Sequence, residues 1–95
     1  RQYHAVFSWD QQGFELKWGS RNKSSKEWRD FSRVSLVHEG YGIFLVRLYE
    51  DGGEYIDIPA SHLKLEPSDF RFEVMELVKG RSLLDEGARS PGKEL

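Results

Sequence analysis

The sequence predicts an α+β domain made mainly of strands, in which a curved antiparallel sheet of about five strands is closed by one C-terminal amphipathic helix. Three observations support this fold class. Apolar side chains recur at every second position through much of residues 28–59, glycine turns interrupt that stretch, and a helical apolar stripe follows Pro67. We therefore expect residues 28–59 to form a three-stranded meander around which the rest of the chain is organised.

A hairpin is predicted before this meander. Residues 3–9 and residues 14–18 both alternate between aromatic or apolar and other side chains, and the polar stretch 10–13 ends in a glycine. Residues 19–25 contain only glycine and polar side chains, a composition that favours a solvated loop over a packed element. We expect this loop to be a mobile hairpin tip.

The meander begins with an irregular step. Trp28, Phe31 and Val34 are spaced by three, which predicts one helical turn or a bend before a strand that starts near Arg33. Residues 43–48 are almost continuously apolar, as in a central strand covered on both faces. Residues 55–58 then return and end at Pro59, which cannot donate a ladder hydrogen bond and so suits a strand end.

The C-terminal part of the domain is predicted to be one helix. Pro67 and Asp69 suit its first turn, and Gly80 suits its C-terminal cap. The inward stripe is expected to consist of Phe70, Val74, Leu77 and Val78. Leu63 and Leu65 in the preceding connector are expected to pack under the sheet. We predict one domain over residues 1–81 and a disordered tail over residues 82–95, where the periodicity is lost.

Composition excludes several classes of function. The 95 residues carry a net charge of −2, which argues against a nucleic-acid binder, and contain no cysteine for disulfides or thiol chemistry. No run approaches the roughly 20 apolar residues of a membrane helix. Because the chain begins at Arg1 without a methionine, we expect a domain excised from a longer protein.

The order of these elements resembles the bacterial YcxB-like domain family, which is similar in fold to pleckstrin-homology domains. The resemblance covers residues 3–81 and rests on Trp28, Phe31 and Val34 for a W-x-x-I-x-x-V step, on Ile56, Ile58 and Pro59 for an I-x-I-P exit, and on residues 70–78 for the closing helix. It implies a partial pleckstrin-homology-like barrel that follows two transmembrane helices, on the cytoplasmic side of the bacterial inner membrane. The long stretch 19–25 and the Ala60-Ser61-His62 sequence depart from the family pattern. The family has no established activity, so the resemblance assigns no functional residues.

A group of basic residues is the first candidate site. Arg21, Lys23, Lys26, Arg29 and Arg33 lie within thirteen positions, and two acids are interleaved among them. In pleckstrin-homology domains an equivalent hairpin can hold phosphate headgroups, and basic residues close to an anionic leaflet each contribute about 1 kcal/mol. The group is therefore either a lipid- or partner-binding site or an ordinary solvated hairpin tip.

The aromatic side chains are the second candidate. Trp9, Trp18 and Trp28 could line a pocket for an apolar ligand between sheet and helix, or they could simply fill a shallow core. Stacking on nucleobases is the other use of such side chains, and the acidic net charge argues against it.

No catalytic or metal-binding set is predicted. The acids Glu50, Asp51, Glu54 and Asp57 lack calcium-loop spacing, and His4, His38 and His62 are far apart in sequence. The sequence therefore predicts a non-enzymatic interaction module without a cofactor, which binds an anionic membrane surface or adds a partner strand to an exposed sheet edge.

Overall fold

The computed structural model describes residues 5–19 and 22–89, with side chains described as far as residue 80. The described part contains six strands, one 3-10 turn and one helix. In chain order they are β1 Ala5–Trp9, β2 Gly13–Trp18, β3 Asn22–Glu27, the 3-10 turn Trp28–Asp30, β4 Phe31–His38, β5 Phe44–Glu50, β6 Tyr55–Ile58 and α1 Pro67–Arg89. The predicted class, α+β with mainly strands and one C-terminal helix, is confirmed.

The strands form two antiparallel three-stranded sheets, β1-β2-β3 and β4-β5-β6. The prediction of a single five-stranded sheet is wrong, and the described strands do not close into a barrel. The 3-10 turn between β3 and β4 is the physical reason, because it takes the chain out of the first sheet. A capping box fixes this turn. The Glu27 amide donates to Asp30 Oδ2 at 3.0 Å, and the Glu27 side chain accepts a hydrogen bond from the Asp30 amide.

Strand β3 occupies most of the stretch that was expected to be a mobile loop. It pairs with β2 from Asn22 opposite Trp18 to Glu27 opposite Gly13, so the loop prediction is wrong. Its fully polar composition is compatible with an edge position, where the backbone ladder holds the strand and lysines are common. Only Gly19, at a φ of 61°, is described in the reversal between β2 and β3.

The predicted bend near Trp28 is confirmed as the 3-10 turn followed by a β-bulge. Phe31 lies opposite Glu50 and Arg33 lies opposite Tyr49, so Ser32 is an extra residue in the ladder. The bulge reverses the side-chain alternation, and Phe31 and Val34 can therefore both contribute to the core. This explains the spacing of three in the sequence.

One face of each sheet and one side of α1 enclose a single core. Its buried members are Phe14, Leu16, Trp28, Phe31, Val46, Leu48, Ile58, Ala60, Phe70, Val74 and Val78. Trp28 is completely buried, packs on Phe14 with ring centroids 5.0 Å apart, and donates its indole N–H to the Asp10 carbonyl at 2.8 Å. An ion pair between Lys26 Nζ and Glu50 Oε2, 3.0 Å apart, links β3 to β5 across the two sheets.

Strand β5 is the middle strand of the second sheet, as predicted for residues 43–48. Its inward residues Val46 and Leu48 are fully buried, whereas its outward residues are only half-buried. The expectation that both faces are covered is therefore wrong. The outward side chains shield one another instead of packing under a second layer.

Helix α1 begins at Pro67 as predicted, and the Glu66 side chain accepts the Asp69 amide at 2.7 Å. Leu63, Leu65 and Leu77 pack against the core as expected. The helix does not end at Gly80, which lacks the positive φ of a C-terminal cap, but continues to Arg89. Of the predicted tail, residues 90–95 lie outside the described residues, and the division of the chain at residue 81 stays a prediction. Within the described residues, no helix is long and apolar enough to cross a membrane.

Candidate interaction surface

The outward face of the second sheet carries an unusual set of side chains for a surface that faces water. Strand alternation sends every second residue of β4, β5 and β6 toward the core and leaves the residues between them on the opposite face. Six of these outward residues form what we call the arginine–tyrosine face: Arg33, Ser35, Arg47, Tyr49, Tyr55 and Asp57.

A bidentate ion pair forms the centre of this face. Arg47 and Asp57 lie directly opposite each other on β5 and β6. Arg47 Nε donates to Asp57 Oδ1 at 2.7 Å, and Nη2 donates to Oδ2 at 3.0 Å. The Arg47 guanidinium also lies over the Tyr55 ring, with Cζ 4.0 Å from the ring centroid. Two hydrogen bonds and a ring contact together fix the plane of this guanidinium.

Arg33 and Tyr49 form a second stacked pair, across β4 and β5. Arg33 Cζ lies 3.9 Å from the Tyr49 ring centroid, and the Tyr49 and Tyr55 rings meet edge to face at 5.9 Å. Unlike Arg47, Arg33 has no carboxylate within 4.0 Å among the described residues. Its guanidinium is oriented by the ring beneath it, and no described carboxylate occupies its N–H donors.

Electrostatics couple these residues. The hydrogen bonds with Asp57 raise the pKa of Arg47 further above its usual range. Hydrogen bonds with Ser35 and then with Arg47, reinforced by the nearby charge of Arg33, lower the pKa of Tyr49 from its ordinary value of 10.0.

The five basic residues of the predicted cluster do not form one surface. Arg21 lies outside the described residues. Lys23 and Lys26 are both on β3, but they point to opposite sides of the first sheet because their positions differ by an odd number. Arg29 lies in the 3-10 turn, and Arg33 belongs to the second sheet.

Three of these cations have carboxylate partners. The pairs are Lys23 Nζ with Glu15 Oε2 at 3.0 Å, Lys26 Nζ with Glu50 Oε2 at 3.0 Å, and Arg29 Nε with Glu27 Oε1 at 3.6 Å. Glu50 raises the pKa of Lys26, chiefly through their hydrogen bond. These partners offset the charges of Lys23, Lys26 and Arg29 and so reduce the surplus positive charge on which the lipid-binding expectation depends.

The three tryptophans also lie in separate environments. Trp28 is in the core, Trp18 packs edge-on against His62 with centroids 6.0 Å apart, and Trp9 stacks on Phe7 at 5.1 Å. Trp9 is the only tryptophan that lines the open cleft of about 920 Å³ beside the β1–β2 turn. The structure therefore does not bring the three side chains together around this cleft.

The cleft is acidic, but its carboxylates already stabilise local structure. Asp10 Oδ1 accepts the amides of Gln12 at 2.9 Å and Gly13 at 3.0 Å, which lowers the pKa of Asp10. Glu27 and Asp30 form the capping box of the 3-10 turn. In the part of the chain with described side chains, no group of histidine, aspartate or glutamate residues is arranged to hold a metal ion.

The histidines do not converge either. His4 lies outside the described residues, His38 stacks on Phe44 with centroids 4.4 Å apart, and His62 lies against Trp18. Both described histidines make ring contacts on the surface.

The sequence identified Arg33 but missed the other five members of the face. The available signal was the alternation, which from Arg33 onward marks the odd-numbered positions of β4, β5 and β6 as outward-facing. The missing information was the register, because opposite residues of the face lie between six and sixteen positions apart in sequence.

No family model, curated protein or solved structure matches this chain. The resemblance to YcxB-like domains therefore stays a prediction.

Proposed function

We propose that this protein is a non-enzymatic interaction module that binds an acidic segment of a partner protein through its arginine–tyrosine face. The observation that carries the proposal is the environment of Arg33, whose guanidinium stacks on Tyr49 at 3.9 Å without a described carboxylate partner. A guanidinium oriented in this way is suited to a bidentate pair with a carboxylate.

The composition of the face supports a protein partner. Tyrosine and arginine are enriched at the energetic centres of protein interfaces, because they combine a large contact area with directional hydrogen bonds. Tyr55 is 54% exposed, so its ring has a large accessible surface beside the fixed Arg47–Asp57 pair. Side chains already ordered in the free protein lose less conformational entropy on binding.

An anionic membrane is less favoured than a protein as the surface that this domain binds. Lys23, Lys26 and Arg29 are paired with carboxylates, so among the described residues these three cations near the β2–β3 hairpin are less available to phosphate groups. We retain the cytoplasmic side of the bacterial inner membrane as the proposed location, on the strength of the YcxB-like resemblance alone. The apolar-ligand alternative stays a prediction of the sequence. It is less favoured than a protein partner, because Trp28 packs against protein side chains in the core and leaves no surface for a ligand.

Site-specific photo-crosslinking in the native host tests the proposal. p-Benzoylphenylalanine at position 55 replaces an exposed ring on the face, and the same group at Lys17 probes the outward side of the first sheet. We expect a discrete protein adduct from position 55, none from position 17, and loss of the adduct when Arg33→Ala is combined with the position 55 probe. Arg33→Lys should give a weakened adduct, because lysine keeps the charge but not the planar fork.

Equal adducts from positions 55 and 17, or an adduct that survives Arg33→Ala, would overturn the proposal. Co-sedimentation with phosphatidylcholine vesicles, with and without phosphatidylglycerol, provides the lipid arm. Salt-sensitive binding to the anionic vesicles that is lost in Lys23→Ala/Lys26→Ala, together with no protein adduct, would replace the protein partner by a membrane surface.

A further inference from the structure

The turn between β4 and β5 presents an aromatic side chain in an unusual backbone conformation. Tyr41 has a φ of 55°, between Gly40 at 96° and Gly42 at 74°. The Ile43 amide donates to the Gly40 carbonyl at 3.0 Å, and with positive φ at both central residues this corresponds to a type I′ turn. Asparagine or glycine is the usual residue where Tyr41 stands.

Tyr41 gains nothing from the fold that would offset this conformation. Its side chain is 102% exposed, so it buries no apolar surface within the domain. A side chain with a Cβ atom is strained in the left-handed region, and the short polar side chains that tolerate it do so through local hydrogen bonds. Stability alone therefore disfavours tyrosine at this position.

The turn is also held firmly in place. The Glu39 amide donates to the Ile43 carbonyl at 2.9 Å, and the Phe44 amide donates to Ser61 Oγ at 2.8 Å. Ser61 Oγ in turn lies 3.4 Å from the Gly42 carbonyl, so the connector after β6 braces the turn. Tyr41 is thus presented on a rigid support, which reduces the entropy lost when a partner binds it.

The position of the turn connects it to the arginine–tyrosine face. The outward pair Val37–Leu45 lies between the Ser35–Arg47 row and the turn, and both of its residues are half-buried. At about 3.3 Å per residue, Tyr41 is roughly 26 Å from Arg33, the residue proposed to bind the acidic segment. An interface of standard size buries about 800 Å² on each partner, a patch roughly 30 Å across, and can cover both features.

We infer that Tyr41 is an anchor residue that inserts into an apolar pocket of the partner protein, beside the acidic segment bound by Arg33. This inference rests on the proposed function. Tyrosine between glycines provides contact area at a low entropic penalty, as in antibody binding loops. A protein pocket is favoured over a membrane because the neighbouring Glu39 is repelled by anionic headgroups and no described lysine or arginine lies in the turn.

The test uses the protein identified by the position 55 adduct, purified and titrated against variants of this domain. Tyr41→Asn suits the type I′ turn, so its Tm should equal or exceed that of the parent while its Kd rises about tenfold or more. Tyr41→Phe should retain most of the affinity, because the ring supplies the contact area. Phe72→Gln removes another exposed aromatic, on α1 at 61% exposure, and should change Kd by less than about twofold.

A Tyr41→Asn variant that binds within about twofold of the parent would overturn the anchor but leave the proposed function intact. Absence of any position 55 adduct would overturn both. Binding to phosphatidylcholine vesicles that depends on Tyr41 would show that the side chain inserts into a membrane and would overturn the protein pocket.

Discussion

The outward faces of the two sheets share a backbone plan but differ in their side chains. Each belongs to a three-stranded antiparallel meander in which side chains alternate between the two faces of the sheet. On the first sheet, the outward rows are Val6–Lys17–Lys23 and Ser8–Glu15–Ser25. On the second sheet, they are Arg33–Tyr49–Tyr55 and Ser35–Arg47–Asp57. The same architecture therefore supports an ordinary solvated surface on one sheet and a candidate interaction surface on the other.

The two ion pairs illustrate the difference. The Lys23 and Glu15 side chains are 58% and 42% exposed, so water screens their attraction. The Arg47 and Asp57 side chains are only 23% and 29% exposed, and two hydrogen bonds join them. A charge alone does not mark a binding surface; the fixed orientation of the charged group distinguishes the second sheet.

The largest expected effect tests whether the two sheets are one folding unit. Trp28 packs on Phe14 of the first sheet and lies in the turn that leads into the second, so Trp28→Ala should destabilise both. We expect a loss of about 3–5 kcal/mol in the free energy of unfolding. Trp9→Ala is the control. Because Trp9 is 37% exposed, this substitution should lower the free energy of unfolding by less than Trp28→Ala does. Urea denaturation followed by far-ultraviolet circular dichroism measures both, and equal losses would contradict the central position of Trp28.

The next largest effect is expected from glycine substitutions in the hairpins of the two sheets. A Cβ at Gly13 would collide with the Lys26 carbonyl oxygen, whereas a Cβ at Gly52 meets nothing within 4 Å. Gly13→Ala must push β2 from β3 and should cost about 1–3 kcal/mol. Gly52→Ala, at the β5–β6 turn, should have little effect, since Gly52 does not have a positive φ. Thermal denaturation of the two variants should therefore give clearly different Tm values; similar values would show that β3 tolerates displacement.

The smallest effect concerns the Tyr49 hydroxyl. Ser35→Ala removes the largest cause of its lowered pKa and should raise that pKa toward 10.0. Because the folded-state pKa is below the unfolded value, Tyr49 adds stability only in alkaline solution, and this contribution disappears as pH falls through the folded-state pKa. Ser35→Ala should therefore move the rise of phenolate absorbance to higher pH. Loss of the pKa shift should not change the free energy of unfolding at neutral pH. Tyr41→Phe, which removes an exposed tyrosine away from the face, is the control. If phenolate absorbance in Ser35→Ala rose at the same pH as in the parent, the hydrogen bond between Ser35 and Tyr49 would be contradicted.

Local features of the fold could be predicted from the sequence. The first hairpin, the bend at Trp28 and the start of α1 each depend on signals within a few residues, such as the polar turn before Gly13 and Pro67 at the helix start. Strand β3 gave no such signal, because an edge strand of polar residues is stabilised by its neighbour's backbone. The separation into two sheets also depended on a tertiary fact, namely that Trp28 points into the core.

The candidate site was less predictable than the fold. Arg33 was singled out for its charge, together with four basic residues that lie elsewhere or outside the described residues. Its actual neighbours Tyr49 and Tyr55 come from other strands, and the bulge at Ser32 sets which of them it meets. A shift of one residue in register would have sent Arg33 toward the core face, so composition alone could not define the surface.

The brace formed by Ser61 also bears on aggregation. Strand β6 ends at Ile58, and Pro59 has no amide hydrogen, so the first residue of β5 would otherwise have no partner on that side. Ser61 replaces the missing strand: it accepts the Phe44 amide at 2.8 Å and donates its own amide to the Phe44 carbonyl at 3.2 Å. A foreign strand that approaches this side of the sheet therefore finds only the four residues of β6 as an open ladder. A short, interrupted edge is a poor template for stacking one copy on the next, so β6 is protected against edge-to-edge pairing.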